Sequence, residues 1–344
     1  MSKKPEKLEP MEARSVAAIP TGEQWQYEPK WDGFRCLLAR DGKSITMTSK
    51  SGQDLKRYFP EVAQAAARLS EQHFVLDGEL VVPLEGDFQF DALLQRIHPA
   101  ASRIERLSRE TPALFLAFDI LRCGKADLVE ERLPERRHKL EQFASRSFRQ
   151  TLFRLSPASM ELKDAKKWLR SAGGGSDGVI AKRLDLPYQA GNREGMQKIK
   201  CHRSADCVIG GFRYGERPMA GRKVVGSLLL GLYDQEGQLH HVGFTAALAA
   251  KEKPALTDRL EGIVTSKSFT GNTPGGPSRW STRRSSEWVP VKPTLVVEFS
   301  YDHFTGGRFR HGTTVLRWRP DKKPQQCTMD QLRQKSASVE ALLD

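Results

Sequence analysis

Long apolar runs and paired cysteines are both missing from this sequence of 344 residues. No stretch of about 18 apolar residues occurs, so we expect no membrane-spanning helix. The first 15 residues are charged and have no apolar centre, which argues against a secretory signal. The five cysteines are scattered without a CxxC pair, and Cys201, His202 and Cys207 fit no zinc-site spacing. We therefore expect reduced thiols in a cytoplasmic protein.

Acidic residues are outnumbered by basic ones. The chain has 55 Lys and Arg against 42 Asp and Glu, which gives a net charge of +13. A surplus of this size favours a polyanionic partner, most often nucleic acid. No repeat of solenoid period is visible, and the length exceeds what one core usually absorbs, so we expect two domains.

The first 200 residues mix strand and helix patterns without a regular alternation. Apolar runs with a two-residue period predict strands in "FRCLLAR", "FVLDGELVV", "LFLAFDIL" and "SDGVIAK". Apolar residues at helical spacing predict helices in "YFPEVAQAAARLSEQ" and "RLPERRHKLEQFA". This irregular order predicts an α+β domain of antiparallel sheets with flanking helices over residues 1–200.

The pattern changes near Lys200. Five strand-like runs follow, in "CVIGGFRYG", "GSLLLGLYD", "LHHVGFTAAL", "LVVEFSYDHF" and "TTVLRWR", and one helical segment from Lys251 to Ser266 interrupts them. Five short strands and a helix predict an OB-fold β-barrel domain over residues 201–344. The segment from Phe269 to Trp288 is rich in Gly, Ser and Arg, and we interpret it as a long basic loop.

Charged residues alternate with apolar ones in two of the short strand-like runs. In "VLDGELV", Asp77 and Glu79 point to the same face, where they repel each other unless a cation lies between them. In "MQKIK", Lys198 and Lys200 share one face and would suit phosphate oxygens. Phe118 in "LFLAFDIL" is either a core residue or an aromatic that stacks on a purine.

Lys30 stands in an unusually constrained context, between a proline and a tryptophan in "YEPKWDGFR". Gly33 permits a tight turn or the close approach of a ligand, and Arg35 follows where it could bind an anion. A lysine attacks only as the neutral amine, which nearby cations or desolvation favour. The stretch is either an ordinary hairpin edge or, if the other cations converge on it, the setting of a nucleophile.

These motifs together resemble the covalent nucleotidyltransferases, which comprise DNA ligases, RNA ligases and mRNA capping enzymes. "KWDG" matches the Lys-x-Asp-Gly motif of that superfamily. The remaining motifs follow in the family's order as "TSKSG", "LDGELV", "FDIL", "SDGVIAKR", "MQKIK" and "RWRPDKKP". The resemblance covers nearly the whole chain. "SLLLGLYD", "TPGGPSRWS" and "GGRFRHGT" are most similar to the bacterial ATP-dependent ligase C group, which is related to the ligase module of ligase D.

The resemblance implies a role for each matching residue. Lys30 would be catalytic and would carry AMP on its side-chain nitrogen, while Asp321 would help to orient the pyrophosphate. The residues expected to bind ATP or AMP are Glu28, Arg35, Lys50, Glu79, Phe118, Lys198, Lys200, Arg319 and Lys322. Glu79 and Asp177 would hold a divalent metal, Mg or Mn.

Two positions depart from the family pattern. Asp177 stands where the family carries glutamate, and its carboxylate is one methylene shorter. Lys50 stands where the family carries arginine, and the two are not interchangeable in bidentate contacts.

The resemblance implies an ATP-dependent DNA ligase that acts as a monomer on nicked double-stranded DNA in repair, with Ku or a repair polymerase as possible partners and no membrane. Within residues 271–286, Arg279, Arg283 and Arg284 flank or follow Trp280, and we expect the three arginines to contact DNA.

Three other functions stay open at this level. An RNA ligase or a capping enzyme of the same superfamily is one, and labelling with ATP or GTP separates capping from ligation. A binding protein that has lost catalysis is another, although it would not require Lys30, Glu79, Lys198 and Lys200 together. A basic OB-fold nucleic-acid binder would leave the first 200 residues without a purpose.

Overall fold

The computed structural model describes residues 8–84, 86–173, 175–201, 203–275, 287–302, 304–309 and 313–332. The chain divides into two compact units, and among the described residues the first comprises 8–201 and the second 203–332. Strands and helices are mixed in both units, so the fold is α+β. None of the described helices is long and apolar enough to cross a membrane.

The first unit contains short and medium strands with five helices among its described residues. Its strands are β1 (Arg14–Ser15), β2 (Trp25–Trp31), β3 (Phe34–Asp41), β4 (Ser44–Ser49), β5 (His73–Val81), β6 (Pro83–Leu84), β7 (Asp87–Phe88), β8 (Leu114–Cys123), β9 (Ala126–Asp127), β10 (Phe153–Leu155), β11 (Ser176–Arg183) and β12 (Met196–Lys200). Its helices are α1 (Pro60–Arg68), α2 (Phe90–Arg96), α3 (Ala101–Glu110), α4 (Leu133–Ser147) and α5 (Leu162–Arg170).

These strands form two main sheets. Sheet A has the order β1-β12-β11-β2, and sheet B has the order β10-β8-β5-β3-β4, with β9 paired to β8. The pairing is antiparallel except at β1–β12 and β10–β8. The four strands predicted in this half are confirmed as β3, β5, β8 and β11.

Consecutive strands β2 and β3 lie in different sheets, so "YEPKWDGFR" is not a hairpin. The chain passes from sheet A to sheet B at Gly33, whose backbone is packed against β5. A Cβ atom at this position would lie 2.2 Å from the carbonyl oxygen of Leu80, which only glycine avoids. This close crossover puts Lys30 and Arg35, five residues apart in the chain, on two different sheets.

Both helices predicted in this unit are confirmed, with different bounds. The first helix, α1, is shorter than its pattern, since it begins at Pro60 and ends at Arg68. Proline and the acidic Glu61 in its first turn both favour a helix N-terminus at this point. The second, α4, also has proline in its first turn. Buried Val62 and Leu140 pack with Phe74 and Phe115 of sheet B in one core cluster. Burying each of these side chains contributes about 1.5–3 kcal/mol.

The second unit is mainly antiparallel. Its elements are β13 (Arg203–Tyr214), β14 (Val225–Tyr233), β15 (Leu239–Thr245), α6 (Lys253–Glu261), β16 (Val289–Pro290), β17 (Val296–Tyr301), β18 (Phe304–Thr305), β19 (Arg308–Phe309) and β20 (Thr314–Trp318). Sheet C has the order β15-β14-β13-β17-β20, with β16 paired to β13. The five predicted strands and the helix are therefore confirmed, and the helix ends earlier than its pattern, at Glu261.

Sheet C is not closed by a continuous ladder within the described residues. Its two edge strands meet at one end, where Ala247 and Thr314 form an isolated parallel bridge. There the hydroxyl of Thr245 donates to the carbonyl of Thr313 at 3.0 Å. The predicted OB-type barrel is thus partly open, as five-stranded barrels of this kind commonly are.

Candidate active site

One face of sheet A carries three of the lysines predicted for the site. Across β2, β11 and β12, Lys30 pairs with Gly178 and Gly178 with Lys200, while Glu28 and Lys198 occupy the next row of the same face. Residues that pair across antiparallel strands project to the same side of a sheet. The opposite face buries its side chains against α5, with Trp25, Tyr27, Trp31, Val179, Ala181 and Ile199 in one core cluster with Ala165 and Trp168.

Asp177 reaches this face through an irregularity in β11. The register with β2 shifts at this residue, and a β-bulge redirects a side chain that regular pairing would send elsewhere. Its Oδ1 lies 2.7 Å from Lys30 Nζ and its Oδ2 lies 3.5 Å from Lys200 Nζ. At Gly178, φ is +157° and an added Cβ would lie 2.0 Å from the carbonyl oxygen of Ile199. The bulge therefore requires glycine beside the carboxylate.

Sheet B supplies one arginine and two carboxyl groups to the site. Arg35 on β3 makes a bidentate ion pair with Asp77 on β5, with Nε–Oδ1 at 2.5 Å and Nη2–Oδ2 at 2.6 Å. Asp77 is fully buried, so its carboxylate anchors Arg35 and faces no solvent. Glu79 lies on the same face of β5. Burial raises its pKa to about 8 and Asp77 adds to the effect, although Arg35 and Lys30 oppose it.

A cavity of about 370 Å³ lies in the first unit between these groups. Its size falls within the range of sites for small molecules and cofactors. It is lined by Pro10, Met11, Glu12, Ala13, Ser15, Glu28, Pro29, Lys30, Trp31, Arg35, Lys50, Glu79, Phe118, Ile180, Lys182, Arg193, Met196 and Lys198. Seven of the predicted site residues are in this set. Lys200 and Asp177 do not line the cavity, but both belong to the ion-pair cluster of Lys30.

The cations of the cavity are close enough to perturb one another. The pKa of Lys198 is lowered, first by burial and then by the charges of Lys30, Lys50 and Lys200. Such a concentration of positive charge in one concave site favours a polyphosphate ligand.

Lys182 is a cavity residue that the sequence reasoning missed. Its Nζ lies 2.8 Å from Glu28 Oε2, donates to the carbonyl of Phe118 at 3.3 Å, and lies 4.6 Å from the centre of the Phe118 ring. The second oxygen of Glu28 accepts from Gln26 Nε2 at 2.9 Å. The alternation of β11 could have identified Lys182, because it lies four residues after Gly178 and shares its face.

The N-terminal segment forms another part of the wall and was also missed. Glu12 pairs with Arg193 at 2.6 Å and with Lys50 at 3.2 Å. These two partners, Arg193 first, lower the pKa of Glu12. Lys50, expected to bind the nucleotide, therefore lines the cavity, where it is held by a carboxylate that no motif indicated.

The predicted residues of the last motif lie in the second unit. Arg319 donates to both oxygens of Asp206 at 3.0 and 3.1 Å and pairs with Asp321 at 2.8 Å. Lys322 Nζ lies 2.7 Å from Asp206 Oδ2, so it is not a freely solvated turn lysine. Arg319 lowers the pKa of Asp321 to about 2. The predicted DNA-contacting residues Arg279, Arg283 and Arg284 lie outside the described residues.

Comparisons with known proteins identify the family of this chain. Residues 10–200 match the ATP dependent DNA ligase domain, and residues 221–322 match the ATP dependent DNA ligase C terminal region. The chain is 41% identical over 340 residues to DNA ligase C2 of Mycolicibacterium smegmatis, covering 94% of each protein.

More distant similarities extend the same pattern. The chain is 34% identical over 308 residues to the multifunctional non-homologous end joining protein LigD of Mycobacterium bovis. The aligned region covers 88% of this chain and 37% of LigD. A solved structure from work on Lig E DNA ligases has 15% identity and a TM-score of 0.52, with 90% of this chain and 99% of that chain covered. The latter supports the fold alone. On the strength of the domain matches and the 41% identity, the chain belongs to the ATP-dependent DNA ligase family, within its ligase C group.

Proposed function

We propose that this chain seals nicks between a 3′-hydroxyl and a 5′-phosphate in DNA through a lysyl-AMP intermediate on Lys30. The observation that carries the proposal is the cavity of nucleotide size, which Lys30 of sheet A lines together with Lys198, Arg35 and Glu79. Family membership supports ATP as the nucleotide.

The proposed reaction has three steps. The Lys30 amine attacks the α-phosphate of ATP, so that a P–N bond forms while the bond to pyrophosphate breaks. The 5′-phosphate of the nick then attacks the lysyl-AMP, taking AMP and releasing the lysine. The 3′-hydroxyl finally attacks that 5′-phosphate, forms the phosphodiester bond and releases AMP. All three are transfers at phosphorus, in which positioning and charge neutralisation supply most of the acceleration.

The cavity residues fit distinct parts of the nucleotide. Glu28 would lie beside the adenine, where its carboxylate, held by Lys182, could accept from the exocyclic amine. Phe118 would stack on the purine, and Arg35 would lie near the ribose and phosphate. Lys198 and Lys200 would neutralise the α-phosphate. Lys50 would contribute a further cation at the position where the resemblance implies arginine.

Lys30 itself must change partners before it reacts. Its amine lies 2.7 Å from Asp177 Oδ1 in an ion pair, and attack requires a free lone pair on the nitrogen. We propose that this ion pair opens as the nucleotide binds.

The carboxylates present fit a divalent metal bound together with the nucleotide. No cluster of three His, Cys, Asp or Glu side chains is found among the described residues. Magnesium at nucleotide sites usually takes only one or two carboxylates and completes its shell with water and phosphate oxygens. Glu79 and Asp177 would hold such an ion, Mg or Mn, which supplies charge neutralisation on the phosphates.

The second unit contributes proposed roles in the same reaction. Arg319 and Lys322 would stabilise the pyrophosphate as it leaves in the first step, because it departs with a high negative charge. We propose residues 1–200 as the adenylation domain and residues 201–344 as the OB-fold domain. The proposed substrate is nicked double-stranded DNA, which the enzyme would seal during repair in the cytoplasm. We propose that the enzyme is a monomer and that Ku or a repair polymerase is its partner.

Intact mass spectrometry tests this function. The protein is incubated with Mg²⁺ and either ATP or GTP, and the adduct is mapped by peptide digestion. We expect AMP addition at Lys30 with ATP and no adduct with GTP. An adduct formed from GTP would indicate a capping enzyme, and the absence of any adduct would contradict the proposal.

A further inference from the structure

Tyr188 lies between β11 and β12, and its hydroxyl stands at the centre of a buried polar network. The residue is only 4% exposed. Its hydroxyl donates to Asp77 Oδ2 at 2.6 Å and accepts from the backbone N–H of Met11 at 2.8 Å. The guanidinium of Arg136 lies 5.6 Å from the centre of its ring. No motif indicated this tyrosine, and it does not line the cavity.

Both partners of the hydroxyl lead directly to the cavity wall. Asp77 holds Arg35 by the bidentate ion pair, and Arg35 lines the cavity with its guanidinium 4.5 Å from the centre of the Phe118 ring. Met11 lines the cavity too, and its carbonyl oxygen lies 3.4 Å from Arg35 Nη2. The Tyr188 hydroxyl therefore connects Arg35 of sheet B, through Asp77, with Met11 of the N-terminal segment.

The Tyr188 hydroxyl donates one hydrogen bond and accepts another, and both of its partners belong to buried residues. Burial raises the pKa of Tyr188 well above its usual value, and Asp77 adds to this effect, so the group stays neutral and keeps its proton to donate. Asp77 is completely buried, and such a carboxylate depends on every donor that it has. Removing the hydroxyl would leave the Met11 N–H without its partner and Asp77 with one donor fewer.

We propose that Tyr188 is a positioning residue for nucleotide binding, which acts through Asp77 on Arg35 and through the backbone of Met11 on the N-terminal wall of the cavity. The inference rests on the proposed function, in which ATP occupies this cavity. Because Tyr188 touches neither Lys30 nor the cavity itself, its loss should weaken binding of the nucleotide and leave the chemical step nearly intact.

The test is single-turnover formation of the protein–AMP adduct by Tyr188→Phe over a range of ATP concentrations. We expect the KM for ATP to rise about tenfold while the rate at saturating ATP stays within about twofold, as for lost binding common to ground and transition states. Tyr27→Phe is the matched control. Tyr27 is also a buried tyrosine of the same unit, but it does not line the cavity and its hydroxyl donates to the carbonyl of Pro20 at 2.8 Å. This control should keep the KM of the unaltered protein.

A double-mutant cycle separates positioning from general destabilisation. If Tyr188 acts through Asp77, then Asp77→Asn alone should raise the KM, and adding Tyr188→Phe should raise it by much less than tenfold more. If Tyr188→Phe does not fold, the test is the KM of Asp77→Asn. An unchanged KM for that variant would contradict the proposed network.

Two results would overturn the inference. One is a KM for Tyr188→Phe within twofold of the unaltered protein. The other is a loss of rate at saturating ATP, matched by a lower thermal midpoint and an unchanged KM, which is the pattern of a purely structural residue. Failure of the proposed function is a separate outcome, since the unaltered protein would then form no AMP adduct at all.

Discussion

The amine of Lys30 lies 2.7 Å from Oδ1 of Asp177, across the boundary between β2 and β11. The same carboxylate reaches Lys200 with its other oxygen at 3.5 Å. Asp177 therefore bridges the proposed nucleophile and a proposed phosphate-binding cation. Its side chain is also one methylene shorter than the glutamate that the resemblance implies at this position, which makes it the first residue to alter.

Asp177→Asn should raise the Mg²⁺ concentration needed for half-maximal adduct formation by about tenfold, because it removes the negative charge of one of the two carboxyl groups proposed to bind the metal. Asp177→Glu should stay within about threefold of the unaltered protein, since it keeps the charge. The measurement is a Mg²⁺ titration of adduct formation at saturating ATP. Identical titration curves for the Asn variant and the unaltered protein would remove Asp177 from metal binding.

Lys30→Ala should form no covalent AMP but should still seal a nick that has been adenylated in advance, because only the first two steps pass through the lysine nitrogen. Intact mass and a sealing assay on pre-adenylated DNA measure the two properties. Lys43→Ala, an exposed lysine at the turn between β3 and β4, is the control and should retain both. A normal AMP adduct on the Lys30 variant would end the assignment.

Lys322→Ala should lose most self-adenylation and keep much of the sealing of pre-adenylated nicks, because pyrophosphate leaves only in the first step. Its ion pair with Asp206 offers the competing explanation of a structural role. Single-turnover kinetics of both steps separate the two, with exposed Lys323→Ala as the neighbouring control. Equal losses in both steps, or no loss in either, would show that Lys322 has no step-specific role.

The basic segment from Gly271 to Ser286 gives a prediction from sequence alone. Replacing Arg279, Arg283 and Arg284 with alanine should weaken nick binding and flatten its dependence on salt, while self-adenylation is spared. Removing one arginine–phosphate ion pair reduces the logarithmic salt slope by about 0.9. Binding measured from low to high salt decides the matter, and an unchanged slope would mean that these arginines do not contact DNA.

His241 predicts how the free energy of unfolding depends on pH. Its ring is buried and packs edge-on against Phe269, with centroids 5.5 Å apart. Burial, helped by nearby Arg308 and Arg213, lowers its pKa to about 4 from 6.5. Between these values the unfolded chain binds a proton that the folded protein does not, so stability falls as pH drops from 6.5 to 4, by up to about 1.4 kcal/mol per pH unit.

Urea unfolding across this pH range tests the His241 prediction. His241→Leu should lose this part of the pH dependence, whereas His138→Gln, at an exposed position of α4, should keep the slope of the unaltered protein. If the slopes of the Leu variant and the unaltered protein were equal, the buried ring would not be the titrating group.

Local patterns in the chain were sufficient to assign side chains to faces. Glu28 and Lys30 share a face of β2, Lys198 and Lys200 share a face of β12, and both pairs follow from two-residue alternation before any partner strand is known. The five strands of sheet C and the helix beside them were equally predictable. Their apolar runs are short and are bounded by turn residues.

Contacts between distant strands could not be derived in this way. Alternation put Asp77 beside Glu79 as two carboxylates that need a cation between them, but pairing between β3 and β5 brings Arg35 to Asp77 and leaves only Glu79 for other partners. Likewise, nothing in the sequence indicated that Tyr188, 111 residues from Asp77, would complete that carboxylate's hydrogen bonds.

The direction of a side chain depends on the backbone angles of its own strand, and the amino-acid pattern contains that information. Which strand lies opposite, in which register and with which bulge depends on packing summed over the whole unit. The proposed catalytic lysine and its flanking cations could thus be named from the order of residues. The partnership of Lys30 with Asp177, by contrast, arises from a one-residue shift in β11 that exists only when β2, β11 and β12 are assembled.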